Sequence, residues 1–168
     1  AWLKVCFPAE FMSANLTSEM GSIDRIVVLI KECKKMGIEV RPPDINVSFE
    51  DFRPIDNKTI SYGLNAIKNV GTKALETIIE ERISSGPYKN IFDICSRVEQ
   101  QKVNKRVLES LVYSGSMDSL EGSRAQNLDA VDIAIKYGQK IQQEVDKNQV
   151  DLFGTGESQN KLIKTPTL

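Results

Sequence analysis

The sequence predicts a mainly α-helical fold with two helical hairpins, a small β-hairpin before the first of them, and a flexible, polar C-terminal tail. Three observations lead there. Apolar residues recur at helical spacing over most of the chain. Between positions 62 and 82, two such stretches are joined by Asn69-Val70-Gly71 alone, so the two helices must fold back and bury their apolar faces on each other. From position 146 the sequence turns polar and rich in Gly, Ser, Thr and Asn, which leaves a core little to bury. A length of 168 residues allows one moderate domain or two small ones, and 40% hydrophobic with 27% charged residues is the make-up of an ordinary globular chain.

Taken in order, positions 1–20 begin as helix, break at Pro8 and resume, since proline lacks an N–H and suits the first turn of a new helix. Phe11, Met12 and Leu16 fall on the buried side of that second helix, and Gly21-Ser22 ends it. Ser22 or Asp24 caps the next helix, predicted over 23–36, with Ile26, Val27, Ile30 and either Cys33 or Lys34 in phase and Gly37 as its stop. Its Lys31, Lys34 and Lys35 read as a solvated stripe. Pro42-Pro43 then forbid helix. Segments 51–55 and 59–62 flank the turn residues Asp56-Asn57-Lys58 and give the β-hairpin.

In the helical hairpin that follows, Ile60, Leu64 and Ile67 line the first helix, and Ala74, Leu75, Ile78, Ile79 and Ile83 the second. Gly86-Pro87 closes it. A short helix over 90–98 carries Ile91, Phe92, Ile94 and Cys95. Asn104 caps another, with Val107, Leu108, Leu111 and Val112 in phase, and Ser114-Gly115-Ser116 makes the turn of a second, degenerate hairpin. A long helix is expected over 123–145, with Leu128, Val131, Ile135, Ile141 and Val145 on one side. Gly138, inside it, is a point where an unbroken rod is expected to weaken.

The turn between the first two hairpin helices carries the chemistry. It needs residues that accept positive φ, for which Asn69 and Gly71 are both suited. Beyond it, the first amides of the second helix have no partner within the helix and point outward with the positive end of the helix dipole. An anion fits there, and a nucleic-acid phosphate is the obvious one. Lys68 and Lys73 flank the turn around Val70, and Thr72 supplies a hydroxyl. Lys102, Lys105 and Arg106 add positive charge at the start of the later capped helix. The pattern is that of a helix-hairpin-helix element, which this stretch resembles, with Asn69 where the usual Gly-hydrophobic-Gly turn has its first glycine. It is equally the pattern of a plain αα-hairpin packed for structure or used for protein contact.

Charge and cysteine usage narrow the field. A net charge of −1 means that any nucleic-acid contact comes from a local patch or backbone amides, not bulk charge. Cys6, Cys33 and Cys95 are widely spaced and odd in number, and the chain has no His and no C-x-x-C pair. Neither a zinc site nor a disulfide framework is supported, and a reducing cytoplasm is the expected compartment. No run approaches a membrane span, so no membrane partner is expected. The chain opens at Ala1-Trp2 within an apolar pattern, which reads as a piece of something larger.

The blocks AWLKVCFPAEFMSANLTSEM, IEVRPPDINVS, YGLNAIKNVG, VNKRVLESLVYSGSMDSL and QVDLFG, in that order, resemble the alpha subunits of bacterial DNA polymerase III, the replicative C-family polymerases. The resemblance covers positions 1–154. It implies that 1–50 is the C-terminal part of a fingers domain and that 51–146 is a tandem helix-hairpin-helix domain gripping duplex DNA. It further implies a sliding-clamp-binding motif at 147–154 and a flexible tail at 155–168. Gln149, Asp151, Leu152 and Phe153 belong to a Gln-x-x-Leu-Phe motif whose partner would be the sliding clamp, the beta subunit. Leu152 and Phe153 would fill an apolar pocket and Gln149 a polar one. The implied partners are double-stranded DNA, the clamp and, through the parent chain, the remaining subunits of the polymerase III holoenzyme. The parent would use Mg held by carboxylates of a palm domain, but no block here matches a palm. No catalytic residue, metal ligand or cofactor is therefore expected in this chain.

Two other readings stand beside this one. In the first, the hairpins are structural and only the QVDLF peptide binds a partner, which the low net charge favours. In the second, the chain is a helix-hairpin-helix domain of a ligase or nuclease, against which the peptide and the first block argue.

Overall fold

A computed structural model describes residues 2–151 and 166, with side chains through residue 145 for the continuous part. Its described residues form seven α-helices and one three-stranded sheet, a mainly helical architecture as predicted. Helices α1 (Trp2–Cys6) and α2 (Pro8–Ser18) meet at Pro8, which sits in the first turn of α2 where its missing N–H costs nothing. Helix α3 (Ile23–Lys35) follows and is stopped by Gly37 at φ +73, a left-handed value that glycine adopts without strain. Ala9, Met12, Leu16, Ile26 and Cys33 bury one face of this pair, whereas Val27 lies exposed.

The β-hairpin forms from β2 (Arg53–Asp56) and β3 (Thr59–Ser61), joined through the Asp56-Asn57-Lys58 turn. Asp56 Oδ1 accepts the Lys58 amide at 2.8 Å, so the turn carries its own side-chain brace. A strand the sequence reading did not foresee, β1 (Glu39–Arg41), pairs parallel to β3 on its other edge, giving the order β1-β3-β2. Three residues ahead of Pro42-Pro43 are too short a run to announce a strand, and the parallel partner lies twenty positions away (Glu39 against Thr59). Ile60, expected on the first hairpin helix, instead lies in β3 and packs with Phe52 against α2 and α3.

The first hairpin is asymmetric. Its first helix is a single 3-10 turn, Leu64–Ala66, and its second is α4 (Thr72–Ser85). Ile83, expected inside, is exposed. Helix α5 (Ile91–Arg97) is capped by Asn90 and α6 (Lys105–Tyr113) by Asn104, each side chain accepting the amide three residues on. Helix α7 (Arg124–Asp151) is one unbroken helix through Gly138, and it runs past position 145 into the stretch expected to be tail. Its Val131 and Ala134 are buried, while Val145 is exposed, so the far end of α7 leaves the core. Gly138 does not weaken the helix because tertiary packing requires it: a Cβ there would lie 2.1 Å from the Cys95 carbonyl oxygen of α5.

Two apolar clusters result. Helices α2 and α3 with Ile38, Phe52 and Ile60 form the first, and α4 to α7 with Ile45 form the second. Tyr62 packs against both and stacks on Phe52 at 4.7 Å between ring centroids.

Candidate nucleic-acid interface

The turn from Ile67 to Thr72 is shaped by two buried apolar anchors, Ile67 and Val70, that pin it to the second cluster. Between them Lys68 and Asn69 stay exposed. Asn69 takes φ +67, the sole non-glycine left-handed residue among those described, as the turn chemistry anticipated. Gly71 does not: at φ −81 and ψ 151 it is extended, and it serves as the N-cap of α4. The chain reverses through Asn69 alone, and neither backbone conformation nor packing within the protein requires glycine at position 71, since a Cβ there would meet nothing within 4 Å.

With glycine at the cap, no side chain satisfies the start of α4. The amides of Gly71, Thr72 and Lys73 have no acceptor among the described residues, and the first helical bonds are those of Ala74 and Leu75 to the Gly71 carbonyl. Three outward amides at the positive end of a 14-residue helix form a ready receptor for an anion. Lys68 and Lys73 are exposed and take part in no ion pair among the described residues, so both charges are available to a ligand. The Thr72 hydroxyl reaches only toward Asn65 Oδ1, at 3.4 Å. A shallow groove of about 570 Å³ runs beside the turn, bounded by Gly21, Ser22 and Asp24 on one side and Asn65, Lys68 and Asn69 on the other.

The second group of basic residues divides. Arg106, in the first turn of α6, reaches across to the hairpin, and its Nη2 donates to Asn69 Oδ1 at 2.9 Å. Lys105 turns away to Asp132, 2.8 Å from its Nζ, with Glu109 3.9 Å off. The hydrogen bond to Asp132 holds the Lys105 pKa above its ordinary value. Lys102 pairs with Glu99 at 3.0 Å. The start of α6 is closed by its own Asn104 cap, unlike the start of α4. Of the residues expected to meet an anion, the fold thus gathers Lys68, Asn69, Val70, Gly71, Thr72, Lys73 and Arg106 in one place. It commits Lys102 and Lys105 to carboxylates of the protein itself.

Sequence reasoning missed Arg82. Its guanidinium is buried and donates from Nη1 to the carbonyls of Ile45 and Ser48 at 2.7 and 2.8 Å, tying α4 to the segment before the β-hairpin. Burial lowers its pKa. An arginine within a helix reads as surface charge, and its partners, 34 and 37 residues away, leave no trace in local spacing.

Of the expected docking peptide, Gln149 and Asp151 lie in the last turn of α7, while Leu152 and Phe153 fall outside the described residues. Among the described residues no group of three or more His, Cys, Asp or Glu side chains is placed to hold a metal ion, and no helix is long and apolar enough to cross a membrane.

Comparison with known proteins places this geometry. Residues 37–127 match the helix-hairpin-helix motif family. The chain is 43% identical over 153 residues to the DNA polymerase III subunit alpha of Vibrio cholerae serotype O1, covering 91% of this chain and 13% of that protein. It is 40% identical, over the same shares, to the protein of that name from Escherichia coli K12. Against the Buchnera aphidicola protein of the same name, identity is 36% over 99% of this chain and 14% of the relative. The chain therefore spans a small fraction of the length of these relatives.

Proposed function

Because the chain belongs to the helix-hairpin-helix family and is homologous with one segment of the DNA polymerase III alpha subunits, we propose that it holds duplex DNA by the backbone as a non-catalytic part of a replicative polymerase. The observation that carries this reading is the open start of α4: three amides without acceptors among the described residues, with Lys68 and Lys73 on either side in no ion pair with any of them. Phosphate oxygens accept from the amides while the two ammonium groups neutralise the charge. Neither donor set reads a base edge, so binding is independent of sequence. A net charge of −1 supplies no bulk attraction to DNA, so the contact depends on this local patch and weakens with salt.

The test is the binding of a labelled duplex to the 168-residue chain across a salt series. Log affinity should fall linearly with log salt, and replacing Lys68 and Lys73 together with Ala should flatten the slope by about 1–2 units. Binding that ignores salt, or a double variant as salt-sensitive as the parent chain, would remove the phosphate site.

The proposal has a second part. Gln149, Asp151, Leu152 and Phe153 dock on the sliding clamp, the two apolar side chains entering its pocket and Gln149 anchoring beside them. The support is the Gln-x-x-Leu-Phe pattern, beside the homology of the chain as a whole to the same polymerases. Burying a Leu and a Phe contributes about 1.5–3 kcal/mol each before ordering costs, enough for a weak contact that their joint removal abolishes. Calorimetric titration with a purified bacterial sliding clamp checks it. The chain with Leu152 and Phe153 both changed to Ala should lose binding while keeping its melting temperature. Gln149→Ala should weaken binding by less, and equal affinity in the double variant would show that the segment is linker.

A further inference from the structure

Asn69 occupies a backbone conformation for which glycine is the default, and among the described residues no other side chain accepts that strain. Asparagine tolerates that conformation better than other side chains, and unlike glycine it brings an acceptor to the turn. The structure shows one partner for it, the guanidinium of Arg106, 2.9 Å from its Oδ1 and 37 positions away on α6. Both residues are exposed, so the bond competes with water and adds little to stability. What it does add is placement. Arg106 has five N–H donors in a rigid fork, one of which it gives to Asn69. It makes no ion pair with any described residue. Its neighbour Lys105 is directed to Asp132 instead.

We propose that Asn69 and Arg106 are a positioning pair, in which the asparagine fixes the arginine fork beside the open start of α4 so that it engages the same DNA phosphate as the turn amides. The second hairpin thereby contributes its charge to the first hairpin's site rather than to one of its own. This rests on the duplex-binding reading above and adds to it the residue that joins the two hairpins. Asparagine replaces the turn glycine because glycine supplies the backbone but no acceptor for the fork. Lysine at position 106 would keep the charge but lacks the planar fork needed to serve Asn69 and a phosphate together.

The test uses the 168-residue chain and a labelled duplex, with Asn69→Gly, Arg106→Lys, Arg106→Ala and the Asn69→Gly/Arg106→Ala double variant. Asn69→Gly keeps the left-handed turn and removes only the acceptor, so its melting temperature should match or exceed that of the parent chain. Its duplex affinity should nonetheless fall about threefold, as expected for loss of one exposed positioning bond. Arg106→Lys should fall by a similar factor with an unchanged salt slope, whereas Arg106→Ala should fall further and flatten the slope by about one unit. In the Arg106→Ala background, Asn69→Gly should cost nothing more, because there is no fork left to hold. Full affinity in Asn69→Gly, full affinity in Arg106→Lys, or an Asn69→Gly loss that persists without Arg106 would each overturn the pair. If Lys68 and Lys73 variants weaken binding while these do not, the pair alone is wrong. If the unaltered chain shows no salt-dependent duplex binding, the pair falls with the site it serves.

Discussion

At the scale of single residues, three glycines fall into two situations, one open and two enclosed. Gly71 has ordinary φ and open space around its Cβ position, so Gly71→Ala should fold with stability within about 1 kcal/mol of the unaltered chain, the loss of a favoured N-cap residue opposing the lower entropy of the unfolded state. Gly71→Val should likewise fold, yet bind duplex more weakly, because the added methyls stand where a phosphate approaches. Thermal melts alongside duplex titration separate the two effects, and full affinity in a folded Gly71→Val would refute the crowding. Gly138→Ala is the opposite case. Its Cβ would overlap the Cys95 carbonyl, so α7 must lift from α5 at a cost of about 1–3 kcal/mol, read from urea unfolding. Gly63 is equally enclosed, with the Phe52 amide nitrogen 2.7 Å from its Cβ position. Buried acids set the alkaline limit of the fold. Burial raises the Cys95 thiol from 9.0 to about 12, and burial likewise raises Tyr88, whose hydroxyl donates to the Ile78 carbonyl. Folded pKa values above the unfolded ones mean that the stability is present below the unfolded pKa and is lost as pH rises through the folded one. The melting temperature should therefore fall between pH 9 and 12, and by less in Cys95→Ala. A flat profile over that range would contradict the burial of these groups.

At the scale of elements, α4 is held by more than its apolar face. Ala74, Leu75, Ile78 and Ile79 set it on the second cluster, which fixes its axis, and Arg82 fixes its position along that axis by gripping the Ile45 and Ser48 carbonyls. The Phe49 ring, its centroid 5.0 Å from the Arg82 guanidinium carbon, covers the cation. Arg82→Ala leaves two carbonyls unpaired in a buried place and should cost about 2–4 kcal/mol in chemical denaturation. Lysine should rescue little of this, because its side chain is shorter, so its ammonium does not reach the place between the two carbonyls that Nη1 fills, and it offers no planar group to the Phe49 ring. Full rescue by Arg82→Lys would mean that charge rather than geometry holds α4. The segment that follows α5 is bound to α7 in a similar way, since Gln100 Nε2 donates to the Ile135 carbonyl at 2.7 Å and Gln142 Nε2 to that of Val98 at 2.7 Å. These amide bridges and the Gly138 contact seat the middle of α7, and the helix then continues out of the core toward Gln149.

For the whole molecule, the candidate site stands on one of the two apolar clusters. Helices α4 and α6 rest on the second, whereas the first is built from α2, α3 and the sheet. Leu16→Ala, in the first cluster, should lower the unfolding free energy by about 2–5 kcal/mol and leave duplex affinity at 25 °C within about twofold. Leu111→Ala, between α6 and the rest of the second cluster, should lower both together. Calorimetry with duplex titration on each variant decides this, and loss of binding in a folded Leu16→Ala would show that the site depends on both clusters. The sequence by itself determined what local chemistry controls. Proline at the start of α2, glycine after α3 and α4, asparagine caps on α5 and α6, and left-handed Asn69 each satisfy a constraint set by adjacent backbone. The apolar spacing likewise marked α4 and α6, and with them the open helix start that carries the candidate site. Tertiary structure decided the rest. The parallel pairing of β1, the removal of Ile60 to the first cluster, the unbroken run of α7 through Gly138, and the separation of Lys105 from Arg106 all depend on partners 20 or more positions away. Lys105 and Arg106 are adjacent and alike in charge, yet one is spent on Asp132 and the other set against Asn69. Spacing along a chain cannot distinguish them, because what separates them is which surface the folded neighbour presents to each side chain.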